Sequence, residues 1–546
     1  MTMTAPVRVS VLIGLAVSLA APFTAWTWTP AFPGDLTVYG SPAVLQYICL
    51  GAAVLAALYA LAAAGLPYLG WLAPRGAVRG LRWSSLAAAG ATWFTLAAIA
   101  VELGGLVHLE PGGWAAGAGT ALMATAACLV PDDTRAPLPV EPSESRGRRQ
   151  VVLERTLITA ICLGAMLVLN FGIATAHTEE FVAYLLAAAL AVRALNLSGA
   201  LAGLTALGTR NRTATAAGAL VAAMAFPLAQ TSGQYTSIAV NVLIFAAVAL
   251  GLNIVVGLVG LLDLGYVAFL GVGAYTAALV SGSVYAQFSG ARLPFWAAVL
   301  LAMAFSALAG VVIGAPTLRL HGDYLAIVTL GFGEIFRITV NNLDGTSGPA
   351  LTRGPNGISQ IPDLEVLGFD FGATHRVLGV ELGRFANYYL LLLAVVALVV
   401  FVFTRVNESR IGRAWIALRE DEKAATAMGI DGFSYKLLAF ALGAALAGAA
   451  GAVQAHVTTT VVPESYLFTG TAPPNSAFLL AAVVLGGMGT VSGPVLGAAL
   501  LYLVPAKFQF FQEYQLLLFG LTLILIMRFR PEGLIPNRRR QMELHS

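Results

Sequence analysis

Long apolar runs recur along the whole of this 546-residue chain, and they constrain its fold more than any other feature. About sixteen of these runs are long enough to cross or enter a lipid bilayer, for which a helix needs about 20 apolar residues. Hydrophobic residues make up 58% of the chain and charged residues only 10%, which is more apolar surface than a soluble domain can bury. We therefore expect an all-α polytopic membrane protein embedded in the lipid bilayer.

The basic residues collect in alternate loops between the apolar runs, and this distribution predicts an orientation. Loops rich in Lys and Arg tend to face the cytoplasm, and an arrangement with both termini in the cytoplasm accounts for most of the 30 basic residues. The first run, Val7–Ala25, is either a retained span or a cleaved signal peptide. We favour a retained span, because no clear A-x-A cleavage site ends it.

The character of the apolar runs changes near Gln230. Before this residue the runs are rich in Ala and Leu, and a Pro-rich charged linker, Pro131–Gln150, interrupts them. After it, the runs contain Gly, Asn, Asp and Glu. We therefore predict an additional N-terminal transmembrane bundle of about seven segments over residues 1–230, and a second unit of about nine segments over residues 231–546.

A charged stretch, Arg405–Lys436, separates two long apolar runs, and we refer to it as the charged loop. Its spacing predicts one helix over Ala414–Met428 that ends at Gly429. The apolar face of this predicted helix consists of Trp415, Leu418, Ala425 and Met428. An ordinary solvated loop is the alternative, whereas an apolar face requires a surface to pack against.

Two stretches of the second unit, Gly257–Tyr275 and Leu485–Ala498, have too many glycines for plain helix. They predict broken helices whose freed backbone groups face a cavity. Close packing of helices through small residues is the alternative explanation. The glycines concerned are Gly257, Gly260, Gly265, Gly271, Gly273, Gly486, Gly487, Gly489 and Gly493.

Polar and ionisable residues within the apolar runs mark a candidate substrate pathway. A charged side chain costs about 2.5–3.5 kcal/mol at the bilayer centre on insertion scales, so each one needs a partner or a wet cavity. Glu334 and Arg337 are three residues apart and are expected to pair on one helix face, either within a pathway or simply to neutralise each other. Arg193 has no partner that the sequence reveals. The candidate pathway residues are Asn253, Asp263, Tyr266, Glu334 and Arg337.

The sequence contains neither GxxxxGK[ST], a motif of nucleotide-binding proteins, nor HExxH, a motif of zinc enzymes. Cys49, Cys128 and Cys162 lie in apolar runs and form no disulfide or metal-binding pattern. We expect no cofactor, metal site or catalytic residue in this chain, and no nucleic-acid partner. An ion-coupled secondary transporter that uses Asp263 or Glu334 is an alternative function.

Several stretches after Gln230 resemble, in the right order, the LivM-type permease of branched-chain amino acid ABC importers. They are LRLHGDYLAIVTLGFGEIFRI, TRGPNGI, GRAWIALREDEKAATAMGID followed by KLLAFALGAALAGAAGA, VVLGGMGTVSGPVLGA and FRPEGL. The resemblance covers residues 230–536. In the charged loop, Ala424, Ala425 and Gly429 keep the spacing of the wider importer signature EAA-xxx-G. Glu422 lies one place further away than the acidic residue of that signature.

The resemblance implies a permease in the bacterial plasma membrane that moves branched-chain or similar hydrophobic amino acids by alternating access. Urea or short amides are alternative substrates. The implied partners are a second, LivH-like permease, two ATPase subunits that bind ATP-Mg, and an extracytoplasmic solute-binding protein. The long loop Asn341–Asn387 is the expected docking surface for the binding protein. The residues expected to couple to the ATPases are Gly412, Arg413, Trp415, Arg419, Glu420, Asp421, Glu422, Ala424, Ala425 and Gly429.

Overall fold

The structure of the chain is a computed structural model. It describes residues 5–28, 36, 42–133, 148–175, 177–230, 233–288, 290, 292–320, 323–346, 348–366, 368–377, 379–470, 475–507, 514–530 and 532–535. The basic tail from residue 536 onward and most of the predicted linker Pro131–Gln150 lie outside the described residues. Helices dominate the described chain, which confirms the predicted all-α class. The chain divides into two compact units, Met1–Ala229 and Gln230–Ser546.

The N-terminal unit is a bundle of helices with closely packed small residues. Its helices are α1 (Ala5–Ala20), α2 (Val44–Ala63), α3 (Val78–Glu102), α4 (Pro111–Leu129), α5 (Arg148–Ala174), α6 (Thr178–Leu197), α7 (Ala200–Arg210) and α8 (Arg212–Ala225). Gly80 leaves room for the ring of Tyr59, whose hydroxyl hydrogen-bonds Ser198 at 2.8 Å. The guanidinium of Arg193 lies 4.4 Å from the ring centroid of Trp83, a cation–π contact that accommodates this charge within the apolar helix.

The described part of the second unit contains eleven further α-helices. They are α9 (Gly233–Asn253), α10 (Val267–Leu279), α11 (Phe295–Thr317), α12 (Asp323–Asn342), α13 (Arg384–Glu408), α14 (Arg410–Glu420), α15 (Glu422–Ala427), α16 (Gly432–Thr458), α17 (Ser476–Gly486), α18 (Ser492–Lys507) and α19 (Gln515–Phe529). Helices α10, α11 and α16 pack closely, because glycines lie at their interfaces. A Cβ atom on Gly273 would lie only 2.3 Å from the carbonyl oxygen of Gly448. Close approach through small residues is how membrane helices gain packing contacts.

The long loop between α12 and α13 is folded and carries two small antiparallel hairpins. Strand β1 (Glu365–Val366) pairs with β2 (Phe369–Asp370), and β3 (His375–Val377) pairs with β4 (Val380–Leu382). A bridge between Ile358 and Val461 joins this loop to the segment after α16. The loop therefore has a defined surface at the C-terminal end of α16.

Eleven helices among the described residues are long and apolar enough to cross a membrane. Four further apolar helices are shorter, at 10–17 residues: Val267–Leu279, Ser476–Gly486, Ser492–Ala506 and Leu517–Phe529. The expected count of about sixteen segments is not confirmed, because several runs form helices well below the roughly 20 residues that a full span needs. The helices nevertheless fit a multi-pass membrane protein.

Candidate functional site

The charged loop forms two short helices, so the prediction of one helix over Ala414–Met428 is wrong. Helix α14 begins after Ser409, whose hydroxyl accepts a hydrogen bond from the backbone N–H of Ile411 at 3.1 Å. Asp421 has extended backbone angles, φ −152° and ψ 106°, and its carboxylate caps α15 by accepting from Ala424 N–H at 3.0 Å. A capping aspartate within the predicted helix thus ends α14 and starts α15.

The apolar face of the charged loop is present, with one exception. Trp415, Leu418 and Ala425 are buried, whereas Met428 is 84% exposed because it follows the last residue of α15. Gly429 ends this helix as predicted, with φ +88°. Its N–H donates to Thr426 O at 3.0 Å, within the hydrogen-bond pattern that commonly closes a helix at a left-handed glycine.

The charged loop is fastened to α16. The indole Nε1 of Trp415 donates to the carbonyl oxygen of Tyr435 at 2.7 Å, and Lys436 Nζ lies 2.6 Å from Glu422 Oε1. Asp431 caps the start of α16, and the Ser434 hydroxyl donates to its carboxylate at 2.5 Å, which holds the pKa of Asp431 below its usual value. These contacts predict that the loop and α16 move together.

The predicted ATPase-coupling residues divide between the surface and the interior. Those exposed are Arg413, Glu420, Asp421, Ala424 and Gly429. Gly412, Trp415 and Ala425 are buried, and Gly412 faces the backbone of α13 so closely that a Cβ there would lie 2.4 Å from Val406 O. Arg419 and Glu422 contact other parts of the second unit.

Arg419 connects the charged loop to the first broken helix. Helix α9 continues as a π-helical turn, Ile254–Val259, before the chain leaves helical geometry at Gly260, which has φ +81°. The guanidinium Nη1 of Arg419 donates to the carbonyl oxygen of Gly257 at 2.5 Å. A Cβ on Gly260 would lie 2.8 Å from Arg419 Cγ, so glycine is needed for the side chain to pass. A cleft of about 420 Å³ lies beside this contact, bordered by Glu422 and Lys436.

Asn253 joins the two glycine-interrupted stretches. Its Nδ2 donates to Thr490 O at 2.8 Å, and its Oδ1 accepts from Gly489 N–H at 2.8 Å. A Cβ on Gly257 would lie 2.0 Å from Asn253 Oδ1, so this glycine makes room for the amide. The chain between α17 and α18 also departs from helix, with φ +122° at Gly487 and +76° at Gly489. Both predicted helix breaks are therefore present, and a single buried amide bridges them.

Other glycines of the set serve close packing, the alternative that the sequence left open. A Cβ on Gly265 would lie 1.9 Å from Thr329 O, and a Cβ on Gly486 would lie 1.9 Å from Gly493 O. A Cβ on Gly271 would meet the ring of Phe336 at 2.5 Å. These positions admit no side chain without displacing backbone or a ring.

Asp263 and Tyr266 lie in the break between α9 and α10. Asp263 is 1% exposed; its Oδ1 accepts from Gly265 N–H at 2.9 Å, while Oδ2 has no hydrogen bond to the described residues. The hydroxyl of Tyr266 donates to Gly443 O on α16 at 2.6 Å. Thr329, which sequence reasoning missed, accepts from Leu264 N–H at 3.0 Å. Its place in the apolar run that also holds Glu334 was the available signal.

Glu334 and Arg337 form the predicted ion pair on α12. Arg337 Nε donates to Glu334 Oε1 at 2.9 Å, and Arg337 Nη1 lies 3.4 Å from Glu464 Oε1. The Glu334 side chain is 48% exposed, unlike the buried Asn253 and Asp263. No hydrogen bond joins this pair to Asn253 or Asp263 within the part of the chain that the structure describes. Glu464 lies in a distant loop, so no sequence spacing pointed to it.

Comparison with known proteins identifies the family of the chain. The family model described as the permease component of the branched-chain amino acid transport system matches residues 234–527. The chain belongs to this family. Members are transport subunits, so this permease is a membrane transport protein and not an enzyme.

Curated relatives agree with this assignment. The high-affinity branched-chain amino acid transport system permease protein LivM of Salmonella typhimurium is 43% identical over 342 residues, covering 60% of this chain and 76% of the relative. A probable LivM of Methanocaldococcus jannaschii is 26% identical over 44% of this chain and 69% of its own. LivH of Salmonella typhimurium is 25% identical over 53% of this chain and 91% of its own. No solved structure matches the chain.

Proposed function

We propose that this permease imports branched-chain or similar hydrophobic amino acids as part of an ABC importer. The observation that carries the proposal is the family match over residues 234–527, together with 43% identity to a permease named for branched-chain amino acid transport. The sequence contains no P-loop motif, which fits a chain whose energy comes from separate ATPase subunits that bind ATP-Mg. The chain itself then needs no cofactor.

The proposed setting is the bacterial plasma membrane, with the charged loop and both termini in the cytoplasm. The six Lys and Arg residues of the charged loop support this orientation, because loops rich in these residues tend to face the cytoplasm. A LivH-like permease is the proposed second membrane subunit, because this chain is similar to both LivM and LivH relatives. The folded loop between α12 and α13 is then extracytoplasmic and is the proposed docking surface for a solute-binding protein.

The proposed coupling route starts at the exposed side of the charged loop, where an ATPase subunit binds. Met428 is exposed there beside Gly429 and provides apolar contact area for that subunit. Arg419 passes the movement to Gly257, and Asn253 passes it on to the break between α17 and α18. A rigid shift of the loop would alter how the two breaks meet, which is the change that alternating access requires.

Residues 1–233 lie outside the family match, and we propose that residues 1–230 form an additional transmembrane bundle. The support for this proposal is that Met1–Ala229 form a separate compact unit with its own buried residues. The transport role is therefore assigned to residues 231–546.

The test is uptake of labelled leucine by cells that lack other leucine importers and express the complete transporter. Gly429→Val puts a β-branched residue at φ +88° and should abolish ATP-coupled uptake while the protein still reaches the membrane. Glu422→Lys should also fail, because it places two lysines together, and adding Lys436→Glu should restore uptake by reforming the pair. Normal uptake in Gly429→Val and Glu422→Lys would contradict coupling through this loop. Uptake of urea but not leucine would contradict the proposed substrate.

A further inference from the structure

A polar cleft of about 380 Å³ lies at the C-terminal end of α16, opposite the charged loop. Helix α16 has 27 residues, so its two ends are about 40 Å apart. The cleft is within the size range of small-molecule sites, about 300–1,000 Å³. Its polar lining consists of Ser281, Arg292, Asp363, Glu365 and His456. It is a separate feature from the helix breaks and from the charged loop.

His456 supplies a buried hydrogen-bond acceptor to this cleft. Its side chain is 5% exposed, and its Nδ1 lies 2.9 Å from the carbonyl oxygen of Pro362. A carbonyl oxygen can only accept, so Nδ1 carries the proton, and Nε2 of the neutral ring is left as an acceptor. Nε2 makes no hydrogen bond to the described residues. It is therefore available to an N–H group of a ligand.

The cleft also offers one positive and one negative charge. The charge of Asp363 is already paired within the protein, because its Oδ1 accepts from Arg384 Nε at 2.7 Å and from the Tyr388 hydroxyl at 2.8 Å. Arg292 and Glu365 are exposed, and neither forms an ion pair with the residues that the structure describes. Two available charges of opposite sign complement a ligand that carries both a carboxylate and an ammonium group.

We propose that the polar cleft is a receiving site for a zwitterionic amino acid before it enters the membrane. Arg292 binds the carboxylate, and Glu365 and His456 Nε2 accept hydrogen bonds from the ammonium group. Leu293 and Phe295 border the same cleft and contact the hydrocarbon side chain. This proposal rests on the proposed import of amino acids. Urea carries no charge and would leave the arginine and the glutamate unpaired.

The test is equilibrium binding of labelled L-leucine to the complete membrane assembly in nanodiscs, with the solute-binding protein omitted. Arg292→Ala and Glu365→Gln should each weaken leucine binding about tenfold or more, as expected for loss of a hydrogen bond to a charged group. Isopentylamine, which lacks the carboxylate, should compete equally well in the Arg292→Ala variant and the unmodified protein. Isocaproate, which lacks the ammonium group, should compete equally well in the Glu365→Gln variant and the unmodified protein.

The matched controls are Arg79→Ala and Asp132→Asn, which remove an exposed ion pair of the N-terminal unit and should leave leucine binding unchanged. The proposal would be overturned if Arg292→Ala and Glu365→Gln bound leucine as tightly as the control variants and the unmodified protein do. An unmodified assembly that imports leucine but binds none in this assay would overturn it as well, while the proposed function stands. Loss of attachment of the solute-binding protein with unchanged leucine binding would assign the two charges to protein docking instead. If the assembly imports no leucine at all, the proposed function fails together with this site.

Discussion

Replacing Arg419 with methionine is the sharpest test of the connection between the charged loop and the helix breaks. Methionine keeps an unbranched stem that packs beside Gly260 but cannot donate to the carbonyl oxygen of Gly257. The lost contact is a charge-assisted hydrogen bond of 2.5 Å from a side chain that is only 18% exposed. Arg419 Nε also lies 3.9 Å from Glu420 Oε1, but that glutamate is 59% exposed, so this ion pair contributes little.

The size of the expected effect follows from the burial of this contact. A hydrogen bond to a charged group contributes about 1.5–3 kcal/mol when it is shielded from water. If this energy links the loop to Gly257, the coupling between ATP hydrolysis and transport should fall by about tenfold to a hundredfold. The fold itself should survive, because the remaining contacts of the loop, through Trp415 and Lys436, are unchanged.

The assay is the number of leucine molecules transported per ATP hydrolysed, measured in proteoliposomes that contain the complete transporter. In Arg419→Met, ATP hydrolysis should continue while transport falls. Arg405→Met is the matched control, since Arg405 contacts Phe401 on its own helix and does not reach the helix breaks. Combining Arg419→Met with Asn253→Ala should add little further loss, because both substitutions interrupt the same route. An unchanged transport-to-hydrolysis ratio in Arg419→Met would refute this reasoning.

Two further predictions concern the stability of the helix breaks, measured by thermal unfolding of the purified protein. Asn253→Ala should lower the free energy of unfolding by about 1–3 kcal/mol for each polar group left unpaired. Asn241→Ala loses only a hydrogen bond within its own helix and should not have this effect. Equal melting temperatures of the two variants would contradict this prediction. Gly265→Ala should cost about 1–3 kcal/mol by overpacking against Thr329, whereas Gly520→Ala faces open space and should be neutral. An unchanged melting temperature of the Gly265→Ala protein would contradict this prediction and would show that the backbone near Thr329 moves to make room for the methyl group.

Sequence reasoning succeeded where the signal is local. The left-handed Gly429, the pairing of Glu334 with Arg337 and the glycine breaks all depend on residues within a few positions of each other. The single helix predicted over the charged loop failed for an equally local reason. An aspartate such as Asp421 tends to cap a helix rather than continue one. The periodicity of apolar residues carries no information about this preference.

The contacts that connect these local features could not be predicted from the sequence. Arg419 and Gly257 are 162 positions apart, and Asn253 and Gly489 are 236 positions apart. Neither pair has a spacing or motif that points to the other member, since tertiary packing alone brings them together. The same holds for His456 and Pro362, so the polar cleft appears only in the folded chain.

The most direct test of ATP-driven amino-acid import is uptake of labelled leucine into proteoliposomes that hold the complete assembly in one orientation. We predict that uptake requires ATP on the side of the charged loop and the solute-binding protein on the opposite side, and that it continues when all ion gradients are collapsed. Uptake that follows an imposed ion gradient and proceeds without ATP would contradict the account and would identify this chain as a secondary transporter.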